Sequence, residues 1–237
     1  LVKQAKLIFL FVLAALAGGI SGVLFAYSPD LPEVSTLDDY APNTITRVFA
    51  AGGEEIRQYS TEDRVVIGYD DIPEVLRQAL ISSEDAGFFS HFGFDLRRLG
   101  ITAVQNVLRW RRRGASTLTM QLARHVSLGG AAPLGLEKYW SRKISEAILT
   151  IQIEKRYTKR EILTLYCNQM YLGSGAHGVE AAARLYFGKP AIDLELAEAA
   201  LIAGIFQTPS RQSPLINPDL ARARRDYVLG EMAENDF

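Results

Sequence analysis

From Ile72 to the end of the chain, nearly every stretch carries apolar residues at helical spacing, broken by short Gly-, Pro- or Ser-containing connections. A chain with that pattern packs as helices around one core and has little material for a sheet. Helices are expected near 73–86, 95–110, 116–127, 137–155, 159–168, 177–187, 193–204 and 217–233, with Pro73 in the first turn of the first and Gly87 as its stop signal. The only β-like region precedes them. Thr44–Phe49 and Glu55–Tyr59 around Gly52-Gly53 read as a hairpin, with Arg64–Tyr69 as a third strand. At 237 residues and 48% hydrophobic content the chain can bury a sizeable core. It divides into residues 1–28, a Pro- and Asp-containing linker at 29–43, a β segment at 44–71 and a helical domain at 72–237.

Leu7 to Tyr27 holds no charged residue, enough to cross a bilayer as a helix. Lys3 and Lys6 precede it and Asp30, Glu33, Asp38 and Asp39 follow, which places the remainder outside the cytoplasm. Ala15-Leu16-Ala17 resembles a signal-peptide cleavage site, but the apolar run continues past it, so an uncleaved anchor is expected. The chain starts at Leu1 and stops at Phe237 after a helical pattern, as if cut from a longer protein. With 26 basic and 27 acidic residues, no bulk charge draws it to nucleic acid. Cys167 is the single cysteine, and His91, His125 and His177 have no ligand spacing, so neither a disulfide nor a zinc site is expected.

Glu84-Asp85 sets two carboxylates at the end of an apolar helix, where acidic groups oppose the macrodipole and capping does not explain them. Phe88, Phe89 and Phe92 follow closely. A carboxylate desolvated by such rings has a raised pKa and serves as a general base near neutral pH. Further along, Arg111-Arg112-Arg113 and Arg124 bracket Gly114-Ala115-Ser116-Thr117, a helix start with the free amides and hydroxyl cap that attract phosphate. The next helix carries Lys138, Arg142, Lys143 and Glu146. Arg142 before Glu146 is the weaker pairing order, so the cations suit a polyanion better than self-pairing. The Gly-rich apolar loop Ser127–Leu136 is read either as a lid over a lipid-bearing substrate or as an ordinary connection. Anchor, sheltered carboxylate and cationic cluster together point to a lipid-linked phosphate.

These segments resemble the five motifs of the peptidoglycan glycosyltransferase family, the lysozyme-like domain of class A penicillin-binding proteins. Glu84-Asp85, Phe88, His91, Gly93 and Asp95 are similar to the first motif, and Gly114, Ser116, Thr117, Thr119 and Gln121 to the second. Arg142-Lys143, Glu146 and Ile153-Glu154 resemble the third, and Lys159, Ile162-Leu163, Tyr166, Asn168, Gly173, Gly178, Ala182 and Tyr186-Phe187 the fourth. Ala200–Gly204 with Pro209 and Pro214 resembles the fifth, and Arg224-Arg225 falls in what is similar to the closing helix. Met120, Arg124, His125 and Gln212 depart from the pattern, where the family has glutamine, lysine, asparagine and commonly an aromatic.

The resemblance implies a mainly α, lysozyme-like glycosyltransferase domain with a small N-terminal β segment and an N-terminal transmembrane helix. It implies polymerisation of lipid II into β-1,4-linked glycan with inversion and release of undecaprenyl pyrophosphate, and sensitivity to moenomycin. Glu84 is the implied base. Glu146 is the second catalytic carboxylate, which orients cations, assists the leaving phosphate or binds a divalent ion. Asp85, Phe88, Ser116, Thr117, Gln121, Arg124, Lys138, Arg142 and Lys143 are expected to contact substrate. No cofactor is required, with a divalent cation (Mg or Mn) at Glu146 as an option. The expected partners are lipid II, the growing glycan strand, the bacterial inner membrane and other cell-wall synthesis proteins, with no nucleic acid. The domain is expected on the periplasmic side, with a transpeptidase domain following Phe237. A glycan-cleaving lysozyme-like enzyme and a catalytically dead scaffold are the alternative readings.

Overall fold

The computed structural model describes residues 46–50, 52, 55–59, 63–109, 116–128 and 136–237, with scattered positions between 4 and 22. Strand β1 (Thr46–Phe49) pairs antiparallel with β2 (Glu55–Tyr59), and a bulge falls between Val48 and Phe49. The expected hairpin is present. Helices follow as α1 (Glu74–Glu84), α2 (Leu96–Arg109), α3 (Leu118–Leu128), α4 (Leu136–Arg156), α5 (Lys159–Gln169), α6 (Val179–Phe187), α7 (Leu196–Ile205), α8 (Pro209–Gln212) and α9 (Pro218–Glu234). The apolar periodicity thus marks eight of these to within a few residues, and the single turn α8 escapes it.

The third strand differs from expectation. Only Asp63–Arg64 (β3) pairs, in parallel with Ala176–His177 (β4), because its partner lies far along the chain. Beyond it, Ile67 finds its hydrogen bonds in a side chain: its N–H donates to Asn168 Oδ1 at 3.0 Å and its carbonyl accepts from Asn168 Nδ2 at 2.9 Å. One buried amide here replaces a strand partner. Among the described residues no helix is long and apolar enough to cross a membrane, and about half of the Leu7–Tyr27 span falls outside those residues. The loop 129–135 and residues 110–115 also lie outside them.

Local chemistry sets the helix ends. Thr158 caps α5 reciprocally with Glu161, and Asn217 caps α9 by accepting from Leu220 N–H at 3.2 Å, with Pro218 at the first position. Helix α1 stops at Glu84 rather than running to Gly87, because Asp85 leaves helical geometry at φ −157° and turns its carboxylate toward α3. The core joins Leu76 and Leu80 of α1, Leu118 and Leu122 of α3, Leu149 and Ile153 of α4, Ile162, Leu163 and Tyr166 of α5, and Ile202 of α7, all fully buried. Small residues in α7, among them Ala199, Ala200, Ala203 and Gly204, let α1 and α9 approach it closely.

Gly178 opens α6 at φ +83°, and a Cβ there would sit 2.7 Å from the Asn168 carbonyl oxygen. Gly178→Ala is expected to lower stability by about 1–3 kcal/mol through left-handed strain alone, more with the backbone clash. A thermal midpoint matching the wild type would contradict this.

Candidate active site

The apolar face of α1 is sunk in the core through Leu76, Ala79 and Leu80, which fixes where its last residue, Glu84, can project. The Glu84 side chain is only 11% exposed, yet it lines a cleft of about 780 Å³. Its Oε2 accepts from Gln121 Nε2 of α3 at 2.9 Å. The buried Tyr166 hydroxyl of α5 donates to Gln121 Oε1 at 2.9 Å, so the amide is held with its NH2 toward Glu84. Arg98 of α2 donates to the Glu84 carbonyl at 2.6 Å, and Arg224 Nη2 of α9 stands 3.5 Å from Oε1. Burial pushes the Glu84 carboxyl up from the ordinary glutamate range. The Gln121 hydrogen bond and the charges of Arg224 and Arg98 pull it back without cancelling the rise, and Asp85 adds to it. This is the environment of a general base that holds its proton more tightly than a solvated glutamate.

The shelter has a different source from the one expected. Phe88 is fully buried in the core, edge-on to Phe89 at 5.1 Å and beneath Lys159 Nζ at 4.5 Å, so it does not reach a substrate. Phe89 and Phe92 are each 54% exposed. Tyr166, Gln121 and the two arginines enclose the carboxylate instead. Asp85 is likewise turned inward. Fully buried, it accepts from the Leu118 N–H at 3.0 Å and meets His91 Nε2 at 2.9 and 3.1 Å, tying the end of α1 to the start of α3. It is therefore a strut beneath the base rather than a substrate contact.

The phosphate-ready start of α3 is also corrected. Its hydroxyl cap is Thr117, which donates to the Gly93 carbonyl at 2.6 Å and accepts from Met120 N–H at 3.2 Å. With Leu118 N–H given to Asp85, the first and third amides of the helix are already engaged. Thr117 is fully buried. Ser116 lines the cleft, and its Oγ lies 3.5 Å from Arg124 Nη2.

Glu146 is the second carboxylate and its setting is the opposite of that of Glu84. It is fully buried, with Arg124 Nε and Arg142 Nη1 on Oε1, the former at 2.9 Å, and Lys143 Nζ on Oε2 at 2.7 Å. Burial alone would raise its carboxyl. The Lys143 hydrogen bond and the charge and hydrogen bond of Arg124 outweigh that and hold it below the ordinary range. Glu146 is thus an anion held ionised by cations from two helices, Arg124 on α3 and Arg142 with Lys143 on α4. Arg124 remains 36% exposed and Lys143 25%, so the heads keep donors for a further anion. Both Glu146 oxygens are committed to cations, which does not fit a divalent ion, and among the described residues no group of three ligating side chains is present. The Lys138 side chain lies outside the description.

Helix α3 joins the two centres. Gln121, on Glu84, and Arg124, on Glu146, are one turn apart, about 4.5 Å along the axis. Sequence reasoning missed Arg98 and Arg224 as neighbours of the base. Both sit on helices where an arginine reads as solvated surface, and only their tertiary contacts with the end of α1 bring them in.

The sequence model of a family described as Transglycosylase matches residues 52–233. The chain is 40% identical over 218 residues to Penicillin-binding protein 1A of Pseudomonas aeruginosa, covering 92% of this chain and 26% of that protein. It is also 40% identical over 213 residues to Penicillin-binding protein 1A of Neisseria gonorrhoeae, covering 90% and 26%. A crystal structure of Penicillin-binding protein 1A from Haemophilus influenzae aligns with 82% of this chain and 18% of that one, at 23% identity and a TM-score of 0.46. The chain spans about a quarter of the length of these curated relatives. Matched over most of its length by the family and by these relatives, with an acid and a cation cluster braced on one helix, the chain belongs to the transglycosylase family.

Proposed function

We propose that this chain polymerises lipid II into β-1,4-linked glycan by inverting transfer, releasing undecaprenyl pyrophosphate. The observation that carries this is the pairing across α3 of a buried, weakly acidic carboxylate with a cation cluster whose members stay partly exposed. Glu84 takes the proton of the incoming 4-hydroxyl as that oxygen bonds to the anomeric carbon of the donor. The bond from that carbon to the pyrophosphate oxygen breaks, and its electron pair leaves with the phosphate. Inversion requires base and leaving group on opposite faces of the sugar, as in an inverting glycosidase. Cations fixed before the reaction stabilise the departing charge without reorganising. Arg124, Arg142 and Lys143 fill that role, and Glu146 holds them in place.

In this reading residues 1–28 anchor the chain in the bacterial inner membrane, with the domain on the extracytoplasmic face and other cell-wall synthesis proteins as neighbours. The uncharged Leu7–Tyr27 run and its flanking charges support this.

Incubation of the purified chain with labelled lipid II and, separately, with finished glycan tests the proposal. Glycan from lipid II, blocked by moenomycin, is the expected result, and cleavage of glycan without polymerisation would refute it. Arg142→Ala is expected to raise KM and lower kcat together, since a phosphate contact made in the ground state and strengthened as charge develops in the transition state affects both. Unchanged kinetics with lipid II would remove Arg142 from the phosphate site.

A further inference from the structure

Helix α9 reaches the site from the far end of the chain. Arg224 on it is 13% exposed, pairs with Glu84 Oε1 at 3.5 Å and lines the same cleft. Two features hold it there. Its guanidinium lies over the Tyr227 ring, 4.3 Å from the centroid, one turn further along the helix. Gly204 of α7 lies directly beneath the shaft of the side chain: a Cβ at that position would come 2.9 Å from Arg224 Cγ and 3.5 Å from its Cβ. The missing methyl leaves a notch that the arginine stem fills. Nothing about the conformation of Gly204 calls for glycine, since it is an ordinary helical residue, so the close approach of Arg224 is what the small residue accommodates.

We infer that Arg224 is a positioning residue for the general base, carried by α9 through a notch at Gly204 so that its guanidinium steadies the Glu84 carboxylate from the side opposite Gln121. This deepens the proposed function and rests on Glu84 being the base in that reaction. Oε2 is engaged by Gln121, while Oε1 accepts no hydrogen bond among the described residues and faces only the longer ion pair. Oε1 is itself buried, and the single long pair leaves it without a hydrogen bond where a tight bidentate pair would engage it.

The charged and titratable groups around Glu84 set the direction of the effect. Asp85 follows it on the chain and repels its charge. Arg98 from α2 attracts it. From α3 comes the neutral Gln121, and from α5 Tyr166, whose phenol is pushed well up by burial and stays protonated. From α9 come Arg224 and Tyr227, the latter also raised, by burial and by Glu231, and so likewise neutral. Among the described residues Arg224 and Arg98 are the cations acting on the carboxylate, and removing one lets the acid hold its proton to higher pH.

The experiment uses the whole chain with two readouts. In Arg224→Gln the acid limb of kcat/KM for glycan formation is expected to move up by about one pH unit, so the rate on that limb falls about tenfold while the high-pH plateau changes little. Arg224→Lys keeps the charge and is expected to move the limb less than half as far. Gly204→Ala, which displaces the stem while leaving the guanidinium intact, is expected to shift the limb the same way as Arg224→Gln. The second readout needs no substrate: carbon-13 NMR of glutamate carboxyls, with the Glu84 signal assigned by its loss in Glu84→Gln, is expected to show the same upward shift in Arg224→Gln. An unmoved limb and an unmoved Glu84 titration, with turnover lowered evenly at every pH, would make Arg224 merely structural and overturn the inference. A wild type that makes no glycan would sink the proposed reaction, while the carboxyl titration would still decide the pairing.

Discussion

Glu84→Gln is expected to lower glycan formation by about 10²–10⁴-fold, the range for loss of a positioned general base, with the fold unchanged. The substitution is nearly isosteric. An amide oxygen can still accept from Gln121 Nε2, and the Arg98 contact is to the Glu84 carbonyl, so neither hydrogen bond is lost. The folded state gives up an ion pair with Arg224 at 3.5 Å and in return no longer buries a carboxylate raised by desolvation. Those effects oppose each other, so the thermal midpoint should stay close to that of the wild type. Moenomycin binding should survive, because the cation cluster is untouched. Near-normal turnover in a well-folded Glu84→Gln would take the base role away from this residue.

Glu146→Ala is expected to do the reverse, damaging fold and activity together. Removing one partner from a buried cluster leaves like charges facing one another, at a cost of roughly 3–5 kcal/mol for fully buried groups. Here Arg124, Arg142 and Lys143 keep 36%, 16% and 25% of their side-chain surface, so water offsets part of that and the low end, about 3 kcal/mol, is expected. For a domain of this size that corresponds to a fall in thermal midpoint on the order of 10 °C. The pH dependence has a definite sign. A carboxyl held below its unfolded value contributes stability that is fully present above the unfolded pKa and is lost as pH falls through the folded one. The Glu146→Ala protein should lack that acid-side loss. Added pyrophosphate should stabilise the variant more than the wild type, because the anion replaces the missing charge. A midpoint within a degree or two of wild type would contradict the clamp described for Glu146.

Much of this was legible in the sequence for definite reasons. Helical periodicity and caps are local, so α5 with Thr158 and Glu161, or α9 with Asn217 and Pro218, could be placed from a few neighbouring residues. The two carboxylates stood out because their local settings are unusual. What stayed hidden depends on packing between distant segments. Nothing near Phe88 foretold that its ring would turn into the core under Lys159, or that Asp85 would cap α3 from outside and leave the hydroxyl role to Thr117. The strand partner of Asp63–Arg64 and the Asn168 amide on Ile67 are likewise non-local. The cations around Glu146 were read as binders of a polyanion, and the structure shows them bound first to their own buried anion. Arg224 was visible as part of a segment similar to the family's closing helix, without its place beside Glu84.

The claim on which the rest depends is that Glu84 must lose a tightly held proton before the reaction can proceed. The most direct measurement is the pH profile of kcat/KM for lipid II polymerisation by the wild-type chain, beside the carboxyl titration of Glu84 in the same preparation. The account predicts an acid limb set by one group, lying above the ordinary glutamate value of about 4.3 and coinciding with the Glu84 titration. A rate that stays flat as Glu84 becomes protonated would contradict it.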